Sequence, residues 1–292
     1  MKILNVVGGG RAGRTLARVF ALNGAFAIGD VLDQTQALAE DAVAFIGSGR
    51  AVDALPAMHG ADVWMLTPPD DQIIACGKLL AASGLLKTGD VAFQCSGASP
   101  SRELAAVLSS CIAVASIHPL KSFADPAAAA RTFLGTYCAA EGDAAALAVV
   151  QPAFEMSGAR VSAIDPEFKT IYHAASVIVC NYLAALIETG LRAYEKSGFP
   201  RDDALHMIEP LVRETVDNVF RLGPAEALTG PVARGDHAVV ARQIAALTAW
   251  NPGIAEIYRH LGAVAVELAQ TQAKADPAWL AKIARMLGKT GP

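Results

Sequence analysis

Three glycines set the first chemical constraint. Gly8, Gly10 and Gly13 of Gly8-Gly9-Gly10-Arg11-Ala12-Gly13 match G-x-G-x-x-G, directly after the apolar run Ile3–Val7 and ahead of a helical pattern at Arg14–Leu22. In such a motif Gly8 permits a tight turn, Gly10 lets the backbone approach a pyrophosphate, and Gly13 lets helix and strand pack closely. The N-terminus of that helix then faces the anion, with Arg11 and Ala12 as further candidate cofactor contacts. Asp33 follows about twenty residues beyond Gly13, at the end of the second apolar run, where a carboxylate accepts from an adenosine ribose 2′-hydroxyl and repels a 2′-phosphate. This pattern implies dinucleotide binding and favours NAD. NADP stays open, because Arg11, and more distantly Arg50, could reach a 2′-phosphate, while the neighbouring Gln34 brings no charge. The alternative role for Asp33 is to cap the next helix.

Two further segments fall at the carboxyl ends of expected strands, where ligands of such folds bind. Thr67-Pro68-Pro69-Asp70 is a stiff loop whose Thr67 and Pro68 are candidate cofactor contacts, or a strand-to-helix turn with Asp70 as N-cap. Ser96-Gly97 could donate to a carboxamide or a substrate, or form an ordinary capping loop.

Hydride transfer to a carbonyl or imine leaves charge on the heteroatom, so a proton donor and a dipole or cation must converge on it. Lys169, His173 and Asn181 lie on one expected helix, with His173 and Asn181 within about 80° of each other on its wheel. An imidazole, with an ordinary pKa of about 6.5, gives and takes protons near neutrality, which makes His173 the candidate acid/base. Asn181 would orient the substrate, and Lys169 is the alternative proton donor. A histidine in an apolar helix can equally be a core residue, and a lysine near a helix start is ordinarily solvated. Thr229–Asp236 offers Arg234 for bidentate carboxylate binding, unless an Arg234–Asp236 pair merely locks the turn. His118, ahead of Pro119, is placed to line the same cleft. The six histidines show no H-E-x-x-H and no Cys/His cluster, so metal-free chemistry is expected.

The elements that must position these residues can be read from periodicity. Short apolar runs at Ile3–Val7, Phe26–Leu32, Asp62–Thr67, Val91–Cys95 and Ile112–Ile117 alternate with helical segments, which implies a parallel sheet covered on both faces. Gly135–Glu141 and Arg160–Ile164, flanking a helix at Asp143–Met156, extend it. From Asp165 the strand signals stop. A long helix at about Pro166–Ser197 is followed by four or five shorter ones, with Leu205, Ile208, Val212, Val216 and Val219 on one face. Gly198-Phe199-Pro200, Gly223-Pro224, Gly230-Pro231, Asn251-Pro252 and Asp276-Pro277 divide that half. The expected architecture is α/β: a doubly wound Rossmann domain at 1–164 and an all-helical domain at 165–292.

Composition removes several function classes. The 292 residues are 53% hydrophobic and 18% charged, which excludes disorder, coiled coil and collagen-like structure. A net charge of −4, from 24 Lys+Arg against 28 Asp+Glu, gives no basic run of the kind that tracks nucleic acid. Five cysteines without a C-x-x-C pair fit a reducing cytoplasm, with Cys95 and Cys180 expected as small buried hydrophobes. The N-terminus lacks a signal-peptide h-region, and Ala174–Ile187 is too short to span a bilayer of about 20 residues, so no membrane is expected.

Three motifs carry a resemblance: Ile117-His118-Pro119-Leu120-Lys121-Ser122-Phe123; Tyr172-His173-Ala174-Ala175 with Asn181-Tyr182; and Ala227-Leu228-Thr229-Gly230-Pro231-Val232-Ala233-Arg234-Gly235-Asp236. Over nearly the whole chain the sequence resembles the Rossmann-like family whose helical C-terminal half is described as domain of unknown function 2520. More distantly it is similar to pyrroline-5-carboxylate reductase, the β-hydroxyacid dehydrogenases and ketopantoate reductase. The resemblance implies a 6-phosphogluconate-dehydrogenase-like helical domain, an NAD(P)-dependent oxidoreductase, a small substrate bound between the domains and a homodimer through the helical half. The β-hydroxyacid and ketopantoate enzymes carry Lys and Asn four residues apart, where this chain has Lys169 and His173, so the second position departs from their pattern. The competing hypothesis is a dinucleotide-dependent sensor or partner protein without turnover, since fold alone does not separate the two. A third, in which a deazaflavin takes part, rests on relatives that pass hydride between it and NADP; no residue is specific to it.

Overall fold

The computed structural model describes residues 1–108 and 111–288. They form two compact units, Met1–Asn181 and Tyr182–Pro292. The division falls later than the expected 164/165 boundary because the helix Lys169–Ser176 is tied to the sheet. Lys169 is buried against Glu141, and Tyr172 bonds His118.

The first unit is built on β1 (Ile3–Val7), β2 (Ala27–Leu32), β3 (Arg50–Val52), β4 (Val63–Leu66), β5 (Val91–Gln94), β6 (Ala113–Pro119), β7 (Tyr137–Gly142) and β8 (Arg160–Ala163). Their order is β3-β2-β1-β4-β5-β6-β7-β8, and every neighbouring pair is parallel except β6 with β7. Seven strands stand where the apolar runs place them. The three-residue β3 was not expected, being too short to leave a periodic signal. Strand order reverses at β1 and β4, which opens a crevice at their carboxyl ends.

Alternation along the strands explains why both faces are covered. Leu4, Val6, Val63, Met65 and Phe93 enter one core with Leu16, Phe20 and Phe154, while Val7, Trp64, Leu66 and Ala92 enter the other with Ile73, Leu80 and Leu104. Edge-on contacts of Phe20 with Phe26 and Phe154, centroids 5.5 and 5.0 Å apart, stiffen the packing behind the glycine loop.

The second unit is helical. Two of its helices, Arg201–Leu222 and Pro252–Gln272, run 22 and 21 residues, longer than expected. Asn251-Pro252 and Asp276-Pro277 act as caps as well as breakers: Asn251 accepts from the Ile254 amide and Asp276 from the Ala278 amide, each with proline in the first turn. Val240, Ile244, Val266, Ala269, Leu280 and Ile283 form its main core. Of the face expected on Arg201–Leu222, Ile208 is buried, Val212, Val216 and Val219 are half buried and Leu205 is half exposed; outside that face Leu211 and Phe220 are more exposed still.

One further expectation is corrected. The run Pro166–Lys196, 31 residues of mean hydropathy 1.6, is by length and composition alone long and apolar enough to cross a membrane. Helical turns on both sides of Ala174–Ile187 supply the missing length.

Candidate active site

The glycine loop is shaped by what it touches. Gly8 has φ +103°, and a Cβ there would stand 2.6 Å from the Pro68 nitrogen. A Cβ on Gly13 would overlap the Gly8 carbonyl and Thr67 Oγ1, so strand, loop and helix pack at glycine distance. Gly10 differs: a Cβ there meets nothing within 4 Å. The helix Arg11–Leu22 that it opens has no side-chain cap and no acidic residue in its first turn, so its N-terminal amides of Arg11, Ala12 and Gly13 remain free for an anion.

Beside this loop lies a cavity of about 670 Å³ lined by Gly8, Gly10, Asp33, Gln34, Asp53, Leu55, Thr67, Pro68 and Pro69, among others. Asp33 does not cap the following helix; Thr35 does, accepting from the Leu38 amide. Asp33 Oδ1 accepts from the Gln34 amide at 2.7 Å and the side chain faces the cavity. Thr67 gives its hydroxyl proton to the Gly8 carbonyl at 2.8 Å, fixing the loop. Arg50 is not available to a 2′-phosphate. Its guanidinium grips both oxygens of buried Asp30 at 2.8 Å and also donates to the Ala57 carbonyl. Burial works against the Asp30 carboxylate, yet Arg50 and the His59 amide hold its pKa below the ordinary value. Glycine cradle, uncapped helix start and cavity carboxylate together fit an adenine dinucleotide.

A second group of side chains sits toward the carboxyl ends of β5 and β6, where β6 pairs with the antiparallel β7. Lys169, the alternative proton donor of the sequence reading, is not the solvated lysine usual near a helix start: it is 1% exposed. Its ammonium donates to Glu141 Oε1 at 2.8 Å and to Ser116 Oγ, while Glu141 also accepts from the amide and hydroxyl of Ser101. Burial lowers the Lys169 pKa and Glu141 opposes the shift. Ser96 is equally occupied: its hydroxyl donates to Asp70 Oδ2 at 2.7 Å and accepts from the amides of Ala98 and Ser99. Asp70 thus joins two loops and does not cap a helix.

Two imidazoles flank the next loop. His118 Nδ1 lies 3.0 Å from the Tyr172 hydroxyl, and the His118 and His173 rings meet nearly edge-on with centroids 5.7 Å apart. Both rings pack on Gly97, where a Cβ would overlap His173 Nδ1 and stand 2.9 Å from His118 Nε2. His173 Nδ1 is buried without a hydrogen-bond partner. Burial, with His173 and Lys169 nearby, pushes the His118 pKa down to about 4 against a weaker pull from Asp70. Burial first, then Cys138, pushes Tyr172 up to about 12. His118 is therefore neutral and Tyr172 a protonated phenol at physiological pH.

The structure thus gathers His118, Tyr172, His173, Gly97 and the Lys169–Glu141 pair in the first unit. Asn181 is exposed, and the wheel that aligned it with His173 does not hold, because a π-helical turn, Val177–Asn181, follows Lys169–Ser176. Arg234 lies in the second unit, exposed and without an ion pair among the described residues. The expected Arg234–Asp236 lock is not formed; Asp236 caps the helix His237–Trp250 by accepting from the Val239 amide. Cys180 is exposed where a buried thiol was expected, whereas burial raises the Cys95 thiol pKa. Among the described residues no three His, Cys, Asp or Glu side chains group as metal ligands. Sequence reasoning missed Glu141 and Ser116. The available signal was a carboxylate inside the apolar run Tyr137–Gly142, which must be paired when buried.

Comparison with known proteins agrees with this architecture. The family model described as Domain of unknown function (DUF2520) matches residues 136–265. Protein TM1727 from Thermotoga maritima is 27% identical, with a TM-score of 0.73 over 92% of this chain and 99% of its own. BF3122 from Bacteroides fragilis, described as a candidate NADP oxidoreductase, is 18% identical with the same TM-score over 90% and 97%. The NADP-bound pyrroline carboxylate reductase of Plasmodium falciparum is 13% identical, with a TM-score of 0.58 over 94% and 97%. No curated protein sequence matches the chain. The chain thus has a Rossmann-like fold, and its residues 136–265 match the family model described as Domain of unknown function (DUF2520).

Proposed function

We propose that the protein is an NAD-dependent oxidoreductase acting on a small carboxylate-bearing keto, hydroxy or imino compound. The observation that carries this is the uncapped helix start at Gly10, opening beside a cavity that contains Asp33. A bound nicotinamide supplies or accepts the hydride. In the reducing direction His173 gives the proton that the substrate oxygen or nitrogen takes as its carbon gains that hydride, and in the reverse direction His173 takes it back. Arg234 is the candidate carboxylate anchor, Asn181 a candidate for orienting the substrate, and Lys169 holds the helix that carries His173.

NAD is favoured over NADP because Asp33 and Asp53 line the cavity with no Lys or Arg among its lining residues, and Arg50 is committed to Asp30. A 2′-phosphate would meet carboxylates there.

The apolar face left open on Arg201–Leu222 supports a homodimer through the helical unit, in line with the resemblance. Light scattering at the mass of two chains supports this; a monomer, or recovery only from membranes with detergent, opposes it.

The functional test is NADH oxidation against a panel of 2-oxo acids and cyclic imines. Turnover that falls in both His173→Ala and Arg234→Ala supports the assignment. Full turnover in both variants contradicts the site, and tight NADH binding with no turnover anywhere on the panel supports the sensor alternative.

A further inference from the structure

The function proposed above leaves His118 and Tyr172 without a role, although they sit against His173. His118 Nε2 and His173 Nδ1 both lie against Gly97, where a Cβ would stand 2.9 Å from the first and overlap the second, and His173 Nδ1 is buried without a hydrogen-bond partner. The other nitrogen of His118 is fixed by Tyr172 at 3.0 Å. Which atom donates there follows from acidity. A phenol is a far stronger acid than a neutral imidazole N–H, and an imidazole nitrogen a better acceptor than a phenol oxygen, so the Tyr172 hydroxyl donates to His118 Nδ1. The proton of His118 must then sit on Nε2.

We propose that His118 is a catalytic residue, its tautomer fixed by the Tyr172 hydroxyl, that donates its Nε2–H to the reacting oxygen or nitrogen of the substrate while His173 exchanges the proton. This rests on the oxidoreductase reading. A neutral imidazole can polarise a carbonyl without surrendering a proton, and burial keeps His118 neutral near pH 7. The two histidines therefore divide the work: one holds developing charge and the other moves the proton. Gly97 leaves room for both rings, and Tyr172 is a positioning residue.

The first test needs no substrate and so stands apart from the oxidoreductase reading. In protein labelled with ¹⁵N-histidine, long-range ¹H–¹⁵N spectra between pH 5.5 and 8.5, assigned with His118→Gln, should show His118 neutral with its proton on Nε2. Tyr172→Phe should shift that signal toward mixed tautomers. An imidazolium at pH 6.5, or a proton on Nδ1, overturns the proposal. The second test uses whichever panel compound turns over. His118→Ala should lower kcat about 10²- to 10³-fold, the loss typical of an oxyanion donor, with NADH affinity unchanged. His118→Gln, which keeps an N–H donor, should recover part of the loss. A His118→Ala kcat within threefold of wild type overturns the proposal even if the protein is an oxidoreductase.

Discussion

Lys169 Nζ lies 2.8 Å from Glu141 Oε1, and the two side chains are 1% and 4% exposed. The pair joins the first turn of the helix bearing Tyr172 and His173 to β7, and through Ser101 and Ser116 to the loop after β5 and to β6. Lys169 thus occupies the position where the sequence suggested an alternative proton donor, but two of its three ammonium hydrogens are engaged inside the protein, by Glu141 and Ser116.

Breaking that pair should cost stability. Lys169→Met leaves the Glu141 carboxylate buried without its cation, and we expect a loss of about 3–5 kcal/mol in denaturant unfolding. Adding Glu141→Gln, which removes the stranded charge and still accepts from Ser101, should return part of it. A stable Lys169→Met protein that had lost only turnover would instead make Lys169 the proton donor.

The glycines of the fingerprint should separate in their effects. A methyl on Gly13 collides with the Gly8 carbonyl and Thr67 Oγ1, so Gly13→Ala should lower the Tm sharply. Gly10→Ala meets no protein atom and should keep a Tm near that of wild type, yet weaken NADH binding at least tenfold (about 1.4 kcal/mol), because its methyl points where a pyrophosphate must approach. Unchanged NADH affinity in Gly10→Ala would place the cofactor elsewhere.

Asp33 and Arg50 should likewise part company. Asp33→Ala removes the acceptor for a ribose 2′-hydroxyl and is expected to narrow or reverse the preference for NADH over NADPH. Arg50→Ala strands buried Asp30 and should reduce thermal stability while leaving the ratio of the two affinities as it was. A changed ratio in Arg50→Ala would show that Arg50 leaves Asp30 when the cofactor binds.

Stability should depend on pH through His118. Its pKa is near 6.5 in the unfolded chain and about 4 in the folded one. Between these values the unfolded state binds more protons, so stability falls as pH drops from 6.5 to 4, by at most about 3 kcal/mol. Tyr172, His173, Lys169 and Asp70 are the groups facing it. Denaturant midpoints measured across this window should flatten in His118→Gln, and an unaltered slope would mean that another group carries the acid sensitivity.

The sheet, the glycine turn and the breakers that cap helices in the second unit were legible in the sequence, because each rests on a local rule of period, sterics or capping. The polar groups of the site were legible only in part. His173 and Lys169 stood out by type and spacing, but Lys169 met Glu141 through a strand far along the chain, a contact no helix wheel contains. Arg50 looked like a possible phosphate ligand for the same reason: its partner, Asp30, lies on a neighbouring strand whose pairing with the unforeseen β3 sets the geometry. Asn181 leaves the expected face for a local reason, since the π-helical turn Val177–Asn181 breaks the regular periodicity on which that alignment depended.

The proposed function depends on the chain binding a nicotinamide dinucleotide through Gly8–Gly13 and selecting it through Asp33. Calorimetric titration of cofactor-stripped protein with NADH and NADPH in separate runs tests it most directly. We expect saturable binding of both with NADH at least tenfold tighter, a difference of about 1.4 kcal/mol. Tighter binding of NADPH would contradict the role given to Asp33, and binding of neither would contradict the whole account.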